Sequence, residues 1–189
     1  MQIRHLGPAD FNVMPWQNAR GMTTELCREN DAAGQLIWRL SEADVKEDGP
    51  FSAFPGLDRI LMLLRGEGFD LDFGDHGRAE VTEPLVPVAF SGDWLTLAAN
   101  VRGPSVDLNL MLARGKASAE ISVVRGAISA PLTDRSLFLA IDSKFSVALA
   151  SSVHGLEPGE LLFVSDAAGA PATTEGAGVL VRVEITFKV

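Results

Sequence analysis

Two arginines stand beside apolar stretches of the chain, where a positive charge needs a partner. Arg39 follows a tryptophan, and Arg59 precedes the apolar run Ile60–Leu64. A guanidinium that leaves water requires either a carboxylate of the protein or an anionic ligand. The carboxylates available for such pairing are those of Asp58, Asp93 and Asp107. The sequence therefore leaves open an internal ion pair and an anion-binding site.

Aromatic residues and prolines are concentrated in the segments that surround these arginines. The three segments are Met14–Asn18, Trp38–Ser41 and Gly49–Arg59. Proline fixes the backbone and aromatic side chains exclude water, a combination typical of the rigid rim of a ligand pocket. A buried structural corner has the same composition, so the pocket is at this stage one of two interpretations.

The histidines and acidic residues do not have the spacing of a metal site. His5, His76 and His154 are far apart in the chain, whereas a metal on a small β-barrel needs several ligands from neighbouring strands. The acidic segment Asp70–His76 has Phe73 before its glycine, where a calcium loop keeps an acidic ligand. We expect a strand edge and a turn there, no bound metal and no cofactor.

Covalent catalysis has no clear candidate residue either. The single cysteine, Cys27, lies between Glu25 and Glu29, and neighbouring carboxylates raise the pKa of a thiol. We expect a buried structural cysteine. The chain has no Gly-x-Ser-x-Gly motif, and Gly66-x-Gly68 joins two apolar runs as a turn rather than opening a helix.

The elements that must position these residues are predicted to be β-strands. The chain contains 18 glycines and 10 prolines, and the segments between them are short and rich in Val, Leu, Ile and Phe. The last segment, Val179–Val189, alternates with a period of two and presents one apolar face. Ten or more such segments predict an all-β sandwich or barrel. Tight turns at Gly66–Gly68, Arg125–Gly126 and Asp142–Lys144 predict hairpins between consecutive strands.

The charge and composition exclude several classes of protein. The 189 residues are 47% hydrophobic, and a net charge of −9 repels phosphate backbones and anionic lipid. No stretch approaches the roughly 18 apolar residues of a spanning helix, and the N-terminus lacks the apolar run of a signal peptide. We expect a cytoplasmic protein that binds neither nucleic acid nor membranes.

Six ordered segments of the first 110 or so residues resemble the HutD/Ves family, whose members are small two-cupin proteins associated with histidine utilisation. The segments are Met14–Glu25, Trp38–Val45, Asp48–Arg59, Leu64–Gly68, Phe90–Trp94 and Asp107–Met111. The resemblance implies a bicupin, two cupin-like double-stranded β-helix barrels without the usual metal ligands. A drop in apolar content around Ala113–Ser118 places the predicted boundary between domains 1–112 and 113–189, with terminal strands that can be exchanged between the barrels.

The resemblance also implies a metal-independent small-molecule-binding protein that regulates histidine utilisation by sensing a carboxylate such as formylglutamate or urocanate. Arg59 is the predicted carboxylate anchor. The further polar contacts are Arg39, Asn18, Asp107 and Asn109, and the walls are Trp16, Phe51, Phe54 and Met111.

Two other interpretations stay open. One is a metal-free cupin enzyme, an isomerase or hydrolase, with Asp93 or Asp107 as general base. The other is a structural or protein-partner module. The sequence also leaves a homodimer open.

Overall fold

The structure is a computed structural model, and it describes residues 1–16, 21–150 and 152–188. The strands in these residues are β1 (Gln2–Leu6), β2 (Asn12–Pro15), β3 (Met22–Asn30), β4 (Leu36–Val45), β5 (Gly49–Pro50), β6 (Leu57–Gly66), β7 (Phe69–Asp72), β8 (Arg78–Val81), β9 (Val88–Ser91), β10 (Leu97–Ala99), β11 (Ser105–Ala113), β12 (Ala117–Arg125), β13 (Ile128–Pro131), β14 (Arg135–Ala140), β15 (Phe145–Leu149), β16 (Ser152–Leu156), β17 (Leu161–Ser165), β18 (Pro171–Gly176) and β19 (Val179–Phe187). Short 3-10 helices span Pro8–Asp10 and Gly74–His76. The prediction of an all-β chain is confirmed. Within the described ranges, no helix has the length and apolar character needed to cross a membrane.

The strands group into two compact units. The N-terminal unit comprises Asn12–Lys116, and the C-terminal unit comprises Met1–Phe11 together with Ala117–Val189. The N-terminal unit has a six-stranded sheet of order β2-β3-β4-β11-β6-β9 and a four-stranded sheet of order β5-β10-β7-β8. The C-terminal unit has sheets of order β1-β17-β14-β19-β12 and β13-β18-β15-β16. That each half is an independent domain, with a boundary after residue 112, stays a prediction.

The two units repeat one strand order. Strands β4 to β11 occupy the same relative places in the N-terminal unit as β12 to β19 in the C-terminal unit. In this correspondence the central strand β11, paired with β4 and β6, matches β19, paired with β12 and β14. Strands β2 and β3 extend one sheet of the first unit, and β1 extends one sheet of the second. The chain therefore begins in the C-terminal unit, leaves it for the N-terminal unit, and returns.

The three predicted hairpins are wrong, because the strands that these turns join do not pair with each other. At the first of them, β6 lies between β11 and β9, whereas the following strand β7 lies between β10 and β8. The turns after β12 and β14 also lead into the other sheet of their unit. Gly66 and Gly68, with φ of 106° and 80°, supply the sharp change of direction. Turn residues indicate that the chain changes direction, but they do not indicate which strand becomes the hydrogen-bonded partner.

The interior of the C-terminal unit is filled by apolar side chains. Members of the cluster come from both sheets and include Phe138, Phe145, Leu162 and Leu180. Strand β19 is buried on both faces rather than on one, since Arg182 is only 4% exposed. Its guanidinium donates to Glu184 and to the carbonyl of Pro131, so the second face of the strand accommodates a paired charge.

The N-terminal unit is filled by apolar residues over only part of its interior. Leu61 and Leu63 of β6 pack with Phe69 and Leu71 of β7, which join the two sheets of this unit. The inner face of the six-stranded sheet beyond these leucines carries polar and charged side chains instead. That polar region contains the candidate site.

Gly68 and Gly34 provide a matched test of the close packing at the β6–β7 crossover. Both have a φ of 80°, but a Cβ at Gly68 would lie 2.3 Å from the carbonyl oxygen of Val81, whereas a Cβ at Gly34 would meet nothing within 4 Å. Gly34→Ala should cost about 1–2 kcal/mol of unfolding free energy for its left-handed backbone. Gly68→Ala should cost roughly 1–3 kcal/mol more because the surrounding strands must move. Urea unfolding of the two variants measures the difference, and equal losses would contradict the predicted clash.

Candidate functional site

Strand β11 arranges the polar residues of the N-terminal unit in rows. Directly paired residues of antiparallel strands lie on the same face of a sheet. Pairing with β4 on one side and β6 on the other gives the rows Arg39–Met111–Arg59, Ser41–Asn109–Leu61 and Ala43–Asp107–Leu63. Leu61 and Leu63 belong to the core of the unit, so this is the inner face. The two arginines therefore flank one methionine inside the unit.

These rows form the floor of a cavity of about 420 Å³. The lining residues are Met14, Pro15, Trp16, Thr23, Arg39, Ser41, Ala43, Pro50, Phe51, Ser52, Phe54, Arg59, Asp107, Asn109 and Met111. Eight of the nine residues predicted to bind a ligand are in this set, and the ninth, Asn18, lies outside the described residues. That these residues bind a ligand stays a prediction. The structure adds the small polar residues Thr23, Ser41 and Ser52, which carry no distinctive signal in the sequence.

Arg59 is 3% exposed and is surrounded by aromatic rings. Its guanidinium carbon lies 4.7 Å from the ring centroid of Phe90, 5.4 Å from that of Phe54 and 5.6 Å from that of Phe51. Its Nε donates to Oδ1 of Asn109 at 3.4 Å. Burial lowers the pKa of Arg59 to about 10, while Asp107 acts to raise it and Arg39 to lower it further. The side chain remains a cation at neutral pH, held by ring faces and one amide.

Arg39 is the second cation of the cavity. Its guanidinium lies over the ring of Phe54 at 5.5 Å, and one of its terminal nitrogens is 3.5 Å from the sulfur of Met111. Its Nε is buried and has no hydrogen-bond partner. Burial lowers the pKa of Arg39, an effect that Glu25 opposes and Arg28 reinforces. In the part of the chain that the structure describes, neither cavity arginine forms an ion pair with a carboxylate.

Asp107 is the acidic residue of the cavity, and it is fully buried. Neither of its carboxylate oxygens has a hydrogen-bond partner in the described part of the chain. Burial raises the pKa of Asp107 to about 7, and Glu42 and Asp44 raise it too, while Arg59 opposes the shift. Buried polar atoms are almost always hydrogen-bonded, so two unpartnered oxygens in one side chain require an explanation.

The other two candidate carboxylates pair with Arg114 rather than with Arg59. Arg114 donates from Nε to Asp58 at 2.8 Å and from a terminal nitrogen to Asp93 at 2.6 Å. A hydrogen bond from the backbone N–H of Gly56 is the main cause that lowers the pKa of Asp93 to about 2, with Arg114 second. Asp93 is also absent from the cavity lining. The alternative in which Arg59 pairs with Asp58 or Asp93 is therefore wrong, and of the two suggested bases Asp107 lines the cavity whereas Asp93 does not.

Arg114 is a residue that the sequence reasoning missed, and it supports the rim of the cavity. Besides its two carboxylates, it donates to the carbonyl of Leu57, and its backbone N–H donates to the carbonyl of Gly56. Gly92 completes the support, because a Cβ there would lie 2.5 Å from the carbonyl oxygen of Phe54. These contacts fix the turn between Phe54 and the start of β6. No local pattern marks Arg114, since its partners lie far away in sequence.

Aromatic side chains form one wall of the cavity. Trp16 lies edge-on to Phe51, with 6.1 Å between ring centroids, and its Nε1 donates to the hydroxyl of Thr23 at 2.9 Å. Because the indole nitrogen is already bonded, Trp16 offers the cavity an apolar surface. Gly21 permits this placement, since a Cβ there would lie 2.9 Å from the indole ring.

The C-terminal unit contains a comparable buried arginine whose charge and hydrogen bonds are satisfied by residues of the same unit. Arg182 of β19 donates to Glu184, and its guanidinium lies 5.4 Å from the ring centroid of Phe138. Glu184 in turn accepts from the hydroxyls of Ser136 at 2.6 Å and Thr133 at 2.8 Å. A paired charge of this kind is structural. The contrast singles out the N-terminal unit, where the charged groups on the corresponding central strand and its neighbours have unused hydrogen-bonding capacity.

The metal-ligating residue types are dispersed. Among the residues with described positions, no group of three or more His, Cys, Asp or Glu side chains could hold a metal ion. The predicted turn is present at Gly74–His76, but the predicted strand edge is wrong, because β7 pairs with β10 on one side and β8 on the other and Asp70 is buried. His76 stacks on Trp94 with 4.5 Å between ring centroids, and Cys27 is buried.

Comparison with known proteins agrees with this architecture. The family model of HutD matches residues 8–181 of the chain. The chain belongs to the HutD family. HutD from Pseudomonas fluorescens SBW25 is 27% identical and superposes with a TM-score of 0.88, with 100% of both chains covered. A conserved protein of unknown function from Pseudomonas aeruginosa PAO1 is 28% identical, also with a TM-score of 0.88 and 100% of both chains covered.

A more distant likeness concerns the fold alone. A cupin 2 conserved barrel domain protein from Leptotrichia buccalis is 11% identical, with 93% of this chain and 92% of that chain covered and a TM-score of 0.56. The predicted cupin-like fold is confirmed by these similarities.

The ionisation of Asp107 gives a prediction about stability and pH. A carboxyl whose pKa is raised in the folded state contributes stability that is complete below about pH 4 and is lost as pH rises through about 7. Asp107→Asn lacks this loss, so its unfolding free energy relative to wild type should rise between pH 4 and pH 8 by roughly 2–4 kcal/mol. Denaturant titrations at four or five pH values measure this trend.

Asp93→Asn is the matched control with the opposite sign. The lowered pKa of Asp93 contributes stability above about pH 4 that disappears as pH falls towards 2. This variant should therefore be less stable than wild type at neutral pH, with the difference shrinking in acid. A pH-independent difference for Asp107→Asn would show that the Asp107 carboxyl is not perturbed as described.

Proposed function

We propose that this HutD-family protein binds a small carboxylate, without a metal, in the cavity of its N-terminal unit. In the cell it acts as a cytoplasmic regulator of histidine utilisation that senses a carboxylate intermediate such as formylglutamate or urocanate. The observation that carries the proposal is the row Arg39–Met111–Arg59 on the inner face of the sheet. Two guanidiniums converge on one cavity there without an ion pair to a carboxylate among the described residues.

The charges of the cavity favour an anion. Arg39 and Arg59 are both positive, and the charge of Arg39 helps to lower the pKa of Arg59. The carboxyl of Asp107 is the acidic group of the lining, and burial keeps it partly protonated at neutral pH. A carboxylate bound between the guanidiniums would relieve their repulsion. It would also accept the hydrogen bond that the buried Nε of Arg39 now lacks.

The walls favour a ligand with an apolar body. Phe51, Phe54 and the face of Trp16 surround the space in front of the arginines. Aromatic walls exclude water from the guanidinium–carboxylate pair, which strengthens charged hydrogen bonds. A volume of about 420 Å³ lies in the range of sites for small molecules. A flat or short-chain acid such as urocanate or formylglutamate suits these dimensions.

An enzyme remains the second candidate, because one observation favours it. A carboxyl with a pKa of about 7 in a cavity is poised to exchange a proton at neutral pH, as a general base must. A metal-free isomerase or hydrolase would use Asp107 in this role. Proton NMR of urocanate and formylglutamate incubated with the protein separates the two candidates, since a binding protein leaves both compounds unchanged.

Arg59→Lys tests the proposed function. A lysine keeps the charge but loses the planar fork that can bind a carboxylate through two parallel hydrogen bonds. Loss of one charged hydrogen bond, worth about 1.5–3 kcal/mol, should weaken binding roughly ten- to a hundred-fold. Calorimetric titration with urocanate and formylglutamate measures the affinity, and a thermal melt of each variant reports whether the fold is retained.

Arg182→Lys is the control for this experiment. Arg182 is as buried as Arg59, but it is paired with Glu184 and lies in the other unit. It should lower the melting temperature while the folded protein keeps wild-type affinity. If Arg59→Lys binds as tightly as wild type, or if wild type binds neither acid, the proposal of an arginine-held carboxylate is wrong.

A further inference from the structure

The least explained group in the molecule is the carboxylate of Asp107. It is completely buried, it lines the cavity, and both of its oxygens lack a hydrogen-bond partner. The other buried aspartate of this unit, Asp70, shows the usual arrangement, because it accepts from Asn100 at 2.8 Å and from Arg102 at 3.0 Å. A buried carboxylate without donors costs stability, so its retention in the lining of a cavity indicates that a donor arrives from outside.

Among the residues whose positions the structure describes, none donates a hydrogen bond to Asp107. Its direct neighbours on the adjacent strands are Ala43 and Leu63, which have only apolar side chains. Arg59 attracts it through space but donates to Asn109 instead. The nearby acidic residues, Glu42 and Asp44, repel its negative charge. The donor that would satisfy Asp107 must therefore belong to what occupies the cavity.

The strand register sets the distance between this acceptor and the arginines. Arg59 Nε lies beside Asn109, and Asp107 is two residues further along the same strand. Two residues of an extended strand span roughly 7 Å. A ligand whose carboxylate meets the guanidiniums would reach Asp107 with a group about that far from its carboxylate.

We propose that Asp107 is a specificity-determining residue, which selects carboxylate ligands that carry an N–H donor roughly 7 Å from the carboxylate. This inference rests on the proposed function and adds the second point of recognition. The charges agree with it: when Asp107 is ionised, the ligand's carboxylate and Asp107 together balance Arg39 and Arg59, so the N–H group needs no charge of its own. An acid of the same shape with an acceptor in that place would face an unpaired, desolvated carboxylate and should be rejected.

The test uses two probes that differ in one group. trans-3-(Pyrrol-3-yl)acrylate and trans-3-(furan-3-yl)acrylate have the same carboxylate and nearly the same shape, but the first has an N–H on the far side of its ring where the second has an oxygen. Calorimetric titration of wild type should show at least tenfold tighter binding of the pyrrole probe. Asp107→Asn, which presents both a donor and an acceptor in nearly the same volume, should bind the two probes within about threefold of each other.

Asp70→Asn is the control variant, since Asp70 is buried in the same unit but lies outside the cavity lining. It should retain the wild-type preference even if it melts earlier. Equal binding of both probes by wild type would overturn the role of Asp107 and leave the carboxylate site intact. Binding of neither probe, nor of urocanate or formylglutamate, would overturn the carboxylate site and this inference together.

The identity of the acceptor has its own readout. If Asp107→Asn keeps the preference for the pyrrole probe, another group accepts the N–H and the inference is wrong. If that variant fails to fold, a crystal structure of wild type with the pyrrole probe decides the matter. A pyrrole nitrogen within about 3.2 Å of a carboxylate oxygen of Asp107 is the expected result, and any other placement of that nitrogen overturns it.

Discussion

The positive charge of Arg59, buried without a carboxylate partner, is the constraint on which the structure of the N-terminal unit depends. A lone cation inside a protein is tolerated only where polarisable or polar groups surround it. Here the rings of Phe51, Phe54 and Phe90 face the guanidinium, and Asn109 accepts from it. Aromatic ring faces stabilise a cation more strongly when water is excluded, but they do not occupy the N–H groups of the guanidinium. The result is a cation that the fold can hold and that a ligand can still approach.

Comparison of the two units shows which stabilising contacts the buried Arg59 lacks. Both have the same strand order, and both place an arginine on the buried face of the central sheet. In the C-terminal unit, Glu184 neutralises Arg182 and is itself satisfied by two hydroxyls. Such a network adds stability or specificity to a core but provides nothing for a ligand. In the N-terminal unit, Asp107 lies too far along its strand to pair with Arg59. Both groups can therefore still form hydrogen bonds with a ligand. Proteins accept such local losses of stability at sites of function.

The sequence predicts which residues line the cavity better than it predicts which strands pair. Short alternating segments predict an all-β fold, and the cluster of arginine, proline and aromatic residues before β6 does lie at the rim of a cavity. The partners of each strand could not be predicted, since a glycine such as Gly66 specifies a bend and not a destination. Arg114 was missed for the same reason, because its partners Asp58 and Asp93 become its neighbours only when β6, β9 and β11 assemble. Turns and rigid aromatic segments can be recognised from neighbouring residues in the sequence. The neighbours of a strand in a sheet cannot, because they come from distant segments.

Asp107 illustrates the limit most clearly. As a residue type it is one of three carboxylates that could pair with Arg59, and the family resemblance, not its residue type, distinguishes it from Asp58 and Asp93. The three aspartates differ in where the pairing of the strands places them. Strand β11 places Met111 opposite Arg59 and puts Asp107 four residues along, between alanine and leucine. A shift of that register by two residues would bring Asn109 or Ser105 to the same place and remove the unpartnered carboxylate. The pairing of β11 with β4 and β6 therefore does more than build a sheet: it sets the separation between two cations and one carboxylate, and that separation defines which acids can satisfy both.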